Sequence, residues 1–271
     1  MLKKRKRKKV NMILDKPLSN IEREDLVRYA IEQGQIPRYL YKYWSKSSVI
    51  RFLNSHKIMF SQYKDFNDPF ECSANIDTNN TSSEWAAFLK SQGVSPGEII
   101  PIVNNMLMDK QAASRIIKEA ILATISKSGI FCMTPKPDNL LMWAHYSDQH
   151  KGACIKFDLL TDVTSFNFPK KVDYSDEYYN YNYLRNQEMA SKTIWHKSLD
   201  WAYEEEYRVV KPTFHGLCEI NPDAVVEIIF GCRCPEEDEK DIRDAADIGT
   251  YKKLTYRHAR MSSSKYQLII E

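Results

Sequence analysis
The spacing of apolar and polar positions changes character along the chain. Ser19 and Glu22 form a capping-box pattern ahead of a helix carrying Ile21, Leu26, Tyr29 and Ala30, with Gly34 as its C-cap and Pro37 just beyond. From Tyr39 the run YLYKYW alternates with a period of two, which predicts a strand. Tyr39, Tyr41 and Tyr43 lie on one face and Leu40, Lys42 and Trp44 on the other. A helix, SVIRFLNSH, and a short strand, KIMFS, lead into the loop FNDPFE. Residues 83–127 then read as about three helices, with breaks at Gly93, Pro96 and Pro101 and with Asp109 capping the longest.

From Gly129 the pattern becomes strand GIFCMT, helix NLLMWAHYSD and strand GACIKFDL. Beyond it, VDYSDEYYNYNYL reads as strand and loop, and a helix is predicted near Arg185 to Lys197. EEEYRVVK and VVEIIFG follow as strands, then an acidic helix from Pro235 and the terminal strands KLTYRHA and YQLIIE. Helices gather early and strands late, with few strict strand-helix-strand repeats. The expected class is α+β, with a mixed or antiparallel sheet core and a helical insertion at 83–127. The expected organisation is a flexible basic arm over residues 1–18 and one domain over 19–271.

Charge sharpens the role of the arm. Among 271 residues, 39 are Lys or Arg and 36 are Asp or Glu, a formal charge of +3. Lys3, Lys4, Arg5, Lys6, Arg7, Lys8 and Lys9 supply seven of the basic residues. The remainder holds 32 basic against 36 acidic, a balance of −4. The basicity is a property of the arm, a candidate nucleic-acid contact through phosphate neutralisation, and the Tyr-rich run from Tyr174 to Tyr183 is a candidate for stacking on bases. The arm also fits a non-specific basic tail. The apolar run after it is too short for a signal peptide, and the longest apolar helix contains Arg115, Lys118 and Glu119. The expectation is a soluble cytoplasmic protein, not a membrane one. Six scattered cysteines fit reduced thiols.

Several chemistries lose their usual support. The chain has eight glycines and contains neither GxGxxG, GxxxxGK[ST] nor GxSxG. His145, His150 and Cys154 lack a second short-spaced ligand pair, so no metal is expected. Three clusters instead place polar groups beside aromatics. The first joins Tyr41 and Lys42 to the loop Asn67, Asp68, Pro69, Phe70, Glu71. The second is the helix segment with Trp143, His145 and Tyr146, and the third runs from Lys197 through Trp201 to Glu204, Glu206 and Arg208. If the last enters a strand, Glu204 and Glu206 share a face and form a carboxylate pair. Each cluster also has a plain structural explanation: aromatic packing, a capped NDPF turn, or a Glu206–Arg208 surface pair.

Taken together, LYKYWS, FNDPFE, GIFCMTPKPDNLLMWAHYSDQHKGACIKFD, KSLDWAYEEEYRVV and VVEIIFG resemble a bacterial family known as domain of unknown function 2971. This resemblance covers nearly the whole chain after the arm. In layout the clusters also resemble ADP-ribosyltransferases, although an HG[ST] triplet and an Arg followed by STS are lacking. Some abortive-infection proteins are similar too. The resemblance implies an enzyme that cleaves NAD and modifies a nucleic acid or protein acceptor, in phage defence or as a toxin. Glu206 would stabilise the oxocarbenium-like ion and Glu204 would position the acceptor. Trp143 and Tyr146 would stack on nicotinamide, Tyr41 would supply a polar contact, and Lys42 or Arg208 would meet the pyrophosphate. Asn67, Asp68, Glu71, His145 and Trp201 would shape the pocket.

Overall fold
The computed structural model describes residues 20–247, 250–251 and 254–271. The arm residues Lys3 to Lys9 and the Ser19 cap lie outside the described residues. Helix α1 (Asn20–Glu32) is followed by Gly34 at φ 66, the left-handed conformation that glycine adopts without a Cβ penalty. Strand β1 (Tyr39–Trp44), helix α2 (Lys46–Ser55) and strand β2 (Lys57–Phe60) come next, with His56 at φ 54 turning the chain out of α2. After β3 (Asn75–Ile76) come helices α3 (Ser82–Ser91), α4 (Pro96–Met108) and α5 (Lys110–Ile125).

Local signals set most of these helix starts. Thr81 and Glu84 complete a capping box on α3, Pro96 occupies the first turn of α4, and Asp109 accepts from the Gln111 and Ala112 N–H groups to start α5. Pro101 is a correction to the sequence reading, because it lies inside α4 and does not break it. Pro101 costs the hydrogen bond to the Gly97 carbonyl, and the helix continues through it with Val103 and Met106 buried in the three-helix core. The three helices bury Trp85, Phe88, Val103, Ile117 and Ile121 against Tyr181 and Tyr183, a core of their own.

Strand β4 (Gly129–Met133), helix α6 (Leu140–Tyr146) and strand β5 (Ala153–Asp158) follow the predicted order. The next segment differs from its reading. It contains only short strands, β6 (Lys170–Lys171), β7 (Asp173–Ser175), β8 (Asn180–Tyr181) and β9 (His196–Ser198), and the expected helix is 3-10 over Gln187–Trp195. A second 3-10 turn, Leu199–Glu204, precedes β10 (Tyr207–Lys211). The chain ends in β11 (Gly216–Glu219), β12 (Val225–Phe230), α7 (Glu236–Ala246), β13 (Thr255–Met261) and β14 (Leu268–Ile270).

The fold is α+β. Its largest sheet has the order β1-β5-β12-β13-β14, mixed because β12 and β13 run parallel across α7 while the other pairs are antiparallel. The apolar runs of β5 and β12 are covered on both faces. Ile155, Phe157, Ile228 and Phe230 enter the main core, while Cys154 and Ile229 pack with Tyr43 and Trp143 on the other side. Helices α2 and α7 pack together over the main core, joined by Lys46 to Asp238 at 2.6 Å and Asp241 at 2.7 Å.

A second sheet, β4-β10-β6, is antiparallel. It meets the first where Tyr41 and Thr134 exchange backbone hydrogen bonds of 2.7 and 3.0 Å. This junction sets the site. Among the described residues no helix is long and apolar enough to cross a membrane.

Gly152, just before β5, sits against β1: a Cβ there would lie 2.1 Å from the Trp44 carbonyl oxygen. Gly152→Ala should lower unfolding stability by about 1–3 kcal/mol through this clash, read as a drop in the urea midpoint with unchanged slope; an unshifted midpoint would show that the two strands are not in this register.

Candidate functional site
A cavity of about 530 Å3 opens where the two sheets part, a size within the range of ligand sites. Its walls come from β1, β4, α6, the loop 65–71 and the segment from Lys197 to Arg208. The structure brings Tyr41, Lys42, Asn67, Asp68, Glu71, His145, Tyr146, Trp201, Glu204, Glu206 and Arg208 to this one cavity. It does not bring Trp143 there. That indole is fully buried, packs edge-on against Tyr43 with centroids 5.1 Å apart, and donates to the Pro137 carbonyl at 2.9 Å. Stacking of Trp143 on a ligand is therefore corrected to a role in holding α6 on β1.

The floor of the cavity is a buried cluster of five charges. Lys197 Nζ lies 2.6 Å from Glu204, 3.1 Å from Glu71 and 3.2 Å from Glu206. Arg208 donates through Nε to Glu206 at 2.7 Å and through one terminal nitrogen to both Glu206, at 3.1 Å, and Glu71. Its other terminal nitrogen donates to the Ile194 carbonyl. All five side chains are at most 5% exposed. Arg208 is thus committed to internal partners, which corrects its assignment to a pyrophosphate. Its pairing with Glu206 is a buried clamp and not a surface pair.

Local backbone geometry makes this convergence. Ser198 caps the 3-10 turn that ends at Glu204, and Glu205 takes the left-handed conformation at φ 44. That kink, not a continuous strand, turns Glu204 and Glu206 inward while Glu205 faces Lys136 at 3.5 Å. Asn139 caps α6 with its side-chain oxygen and donates its amide to the Tyr203 carbonyl at 2.8 Å, tying the helix to the turn. Tyr146 Oη consequently reaches Glu204 at 2.7 Å. In the loop 67–71, Asp68 accepts from the Phe70 N–H at 2.9 Å, the turn that swings Glu71 under Arg208.

Three carboxylates against two cations leave one negative charge in excess, and burial makes that excess costly. The two glutamates of the pair divide it unequally. Burial pushes the Glu206 carboxyl up, but Arg208 and Lys197 outweigh it and hold Glu206 ionised. Burial raises Glu204 as well; there the Lys197 charge and the hydrogen bonds that Glu204 accepts from Lys197 and Tyr146 offset burial only in part and the Glu206 charge adds to it, so Glu204 is held above the ordinary carboxylate value while Glu206 is held below it. Burial, followed by the Glu204 charge, holds the Tyr146 hydroxyl far above the usual phenol range, where it remains a donor.

The rest of the lining is acidic and aromatic. Asp65 and Asp148 are exposed to it, and Asp65, Asp148 and Lys42 have no ion-pair partner among the described residues. His145 lies beside Tyr146, Trp201 and Tyr203, and the Lys197 ammonium sits 4.8 Å from the centre of the Trp201 ring. Among the described residues no group of three or more His, Cys, Asp or Glu side chains is arranged to hold a metal ion. All six cysteines are free.

Lys197 is the residue that sequence reasoning left without a role. Its signal was available: a single lysine ahead of three glutamates in a segment already singled out. Tyr174, which accepts the Glu206 N–H at 2.8 Å, was also missed as a support. The Tyr-rich run is corrected as a stacking platform, since Tyr181 and Tyr183 are buried in the three-helix core and Tyr179 packs on Tyr181 and His196. Of the tyrosines in that run only Tyr178 is exposed, at 50%.

Residues 142–209 match the family described as Protein of unknown function (DUF2971). The match is shorter than the resemblance drawn from the sequence, but it takes in α6 from Met142 onward, Lys197, Glu204, Glu206 and Arg208. No curated protein and no solved structure matches the chain.

The upward shift of Glu204 has a measurable sign. A carboxyl raised above its ordinary value of 4.5 contributes stability that is present below that pH and is lost as pH rises through the folded-state value. Glu204→Gln removes this dependence. The stability of the natural protein relative to this variant should fall as pH is raised above 4.5, measured by urea unfolding at several pH values; a relative stability that climbs with pH would place the proton elsewhere.

Proposed function
We propose that the cavity is an active site for ribosyl transfer, in which NAD is cleaved at its nicotinamide–ribose bond and the ADP-ribosyl group passes to water or a macromolecular acceptor. The observation that carries the reading is Glu204, a buried carboxyl on the cavity wall that accepts from Tyr146 at 2.7 Å and Lys197 at 2.6 Å and whose proton affinity burial raises. A group so placed is suited to proton transfer.

Charge supports the same donor. The nicotinamide of NAD is cationic, and a lining with more carboxylates than cations favours that end of the molecule. A cation entering beside Glu204 favours its ionised form. Tyr146, His145 and Trp201 supply the aromatic surface for the ring, and Lys42, a cation of the lining without a carboxylate partner among the described residues, is the group for the diphosphate.

The steps follow from this arrangement. The C1′–N bond breaks, its electron pair neutralises the pyridinium, and an oxocarbenium-like ribosyl ion develops. The cluster, with Glu204 ionised, faces that ion with one uncompensated negative charge. Glu206, clamped by Arg208, keeps Lys197 in place, and Lys197 holds Glu204. The acceptor hydroxyl then bonds to C1′ and its proton passes to Glu204. In a cell this activity consumes NAD or marks a macromolecule, the chemistry of a toxin or phage-defence effector.

Purified protein should release nicotinamide from NAD, followed by chromatography, with labelled NAD and cell extract identifying the acceptor. Glu204→Gln should slow release by about 10²–10⁴-fold, and Tyr146→Phe by up to about tenfold. Release by Glu204→Gln at the natural rate, or none by the natural protein, would overturn the reading.

A further inference from the structure
The segment after α6 has a backbone that its sequence does not favour. Asp148, Gln149 and His150 are consecutive and all left-handed, with φ of 50, 55 and 70. Outside Gly, the left-handed region favours Asn, Asp and His, so Gln149 and the run of three without glycine are the departures, and such strained positions gather at functional sites. Here the chain has Asp-Gln-His, with glycine only at 152.

The turn is locked from several sides. The His150 N–H donates to the Trp143 carbonyl at 3.1 Å, Lys151 to Asp148 at 3.1 Å and Gly152 to Ser147 at 2.7 Å. Across the sheet, Gly231 donates to Gly152 at 2.9 Å and Arg233 to His150 at 3.1 Å. Gly231 presses so close that a Cβ would meet the His150 oxygen at 2.1 Å. His150 Nδ1 is buried without a hydrogen-bond partner, a second departure from relaxed packing. The outcome of this locking is the position of one side chain: Asp148 lines the cavity, exposed, with no cation within 4 Å among the described residues.

We propose that Asp148 is a substrate-contacting residue, which the left-handed turn exists to present, and that it binds the paired hydroxyls of the ribose that bears the leaving group. An ionised carboxylate only accepts hydrogen bonds, and its two oxygens suit two adjacent hydroxyls. The turn starts directly from α6, whose last residue is Tyr146, so Asp148 is fixed relative to the Tyr146–Glu204 pair. This rests on the reading that a ribosyl donor enters the cavity.

Asp148→Asn suits the test because Asn tolerates the left-handed conformation at least as well as Asp and removes only the charge. Binding of NAD and of its analogue lacking both hydroxyls on the nicotinamide ribose would be measured by calorimetry in the Glu204→Gln background, where turnover is suppressed. With Asp148 present, the analogue should bind about tenfold or more weakly than NAD. Once Asp148→Asn is added, NAD affinity should drop by a similar factor and the difference between the two ligands should largely vanish, while the thermal midpoint is unchanged or higher. A ligand difference that survives Asp148→Asn overturns this inference and leaves the ribosyl-transfer reading standing. Absence of NAD binding to the protein with Asp148 in place overturns both.

Discussion
Two cations buried among three carboxylates constrain the rest of this structure. Lys197 and Arg208 compensate all but one of the charges on Glu71, Glu204 and Glu206. Such a group adds little to stability compared with an apolar core, but removing a single partner typically costs about 3–5 kcal/mol. The elements that deliver the five side chains are consequently tied together: the loop 67–71, strand β9, the kink at Glu205 and the start of β10. Its uncompensated charge is also what gives the cavity chemistry, because it raises the proton affinity of Glu204.

Around this cluster the fold acts as a positioning device. The mixed sheet and the antiparallel sheet touch at Tyr41 and Thr134, and the cavity occupies the wedge they leave. Helix α6 closes one side, held on β1 by Trp143 and on the segment 197–208 by Asn139. Strain appears at the edges of this wedge, in the turn 148–150 and at Glu205, where left-handed residues aim side chains into or away from the cavity. A protein optimised only for stability would use glycine or asparagine at such positions.

Much of the fold was legible in the pattern of the chain. A period-two run located β1, short apolar runs located β4, β5 and β12, and Asp109 marked the start of the longest helix. Pro101 misled because the packing of Val103 and Met106 carries α4 past the hydrogen bond it loses, and the region 170–197 misled because its short strands and 3-10 turns are set by tertiary packing and not by periodicity. Most of the singled-out site residues do share one cavity, since clusters of polar and aromatic residues at strand ends are visible without coordinates. What sequence cannot display is which charges pair. Arg208 looked free for a ligand and is committed to Glu206 and Glu71, Trp143 looked like a stacking surface and is core, and Lys197 had no assigned role although it touches three carboxylates.

The central claim is that Glu204 is the member of this cluster whose carboxyl burial holds above its ordinary value, so that it takes up a proton before Glu206 does. Infrared difference spectroscopy between the natural protein and Glu204→Gln, followed as pH is raised through and above the ordinary glutamate value of 4.5, reads it directly. The account predicts a protonated-carboxyl C=O band in the natural protein that disappears in the variant. A spectrum in which the substitution removes only ionised-carboxylate bands would contradict it.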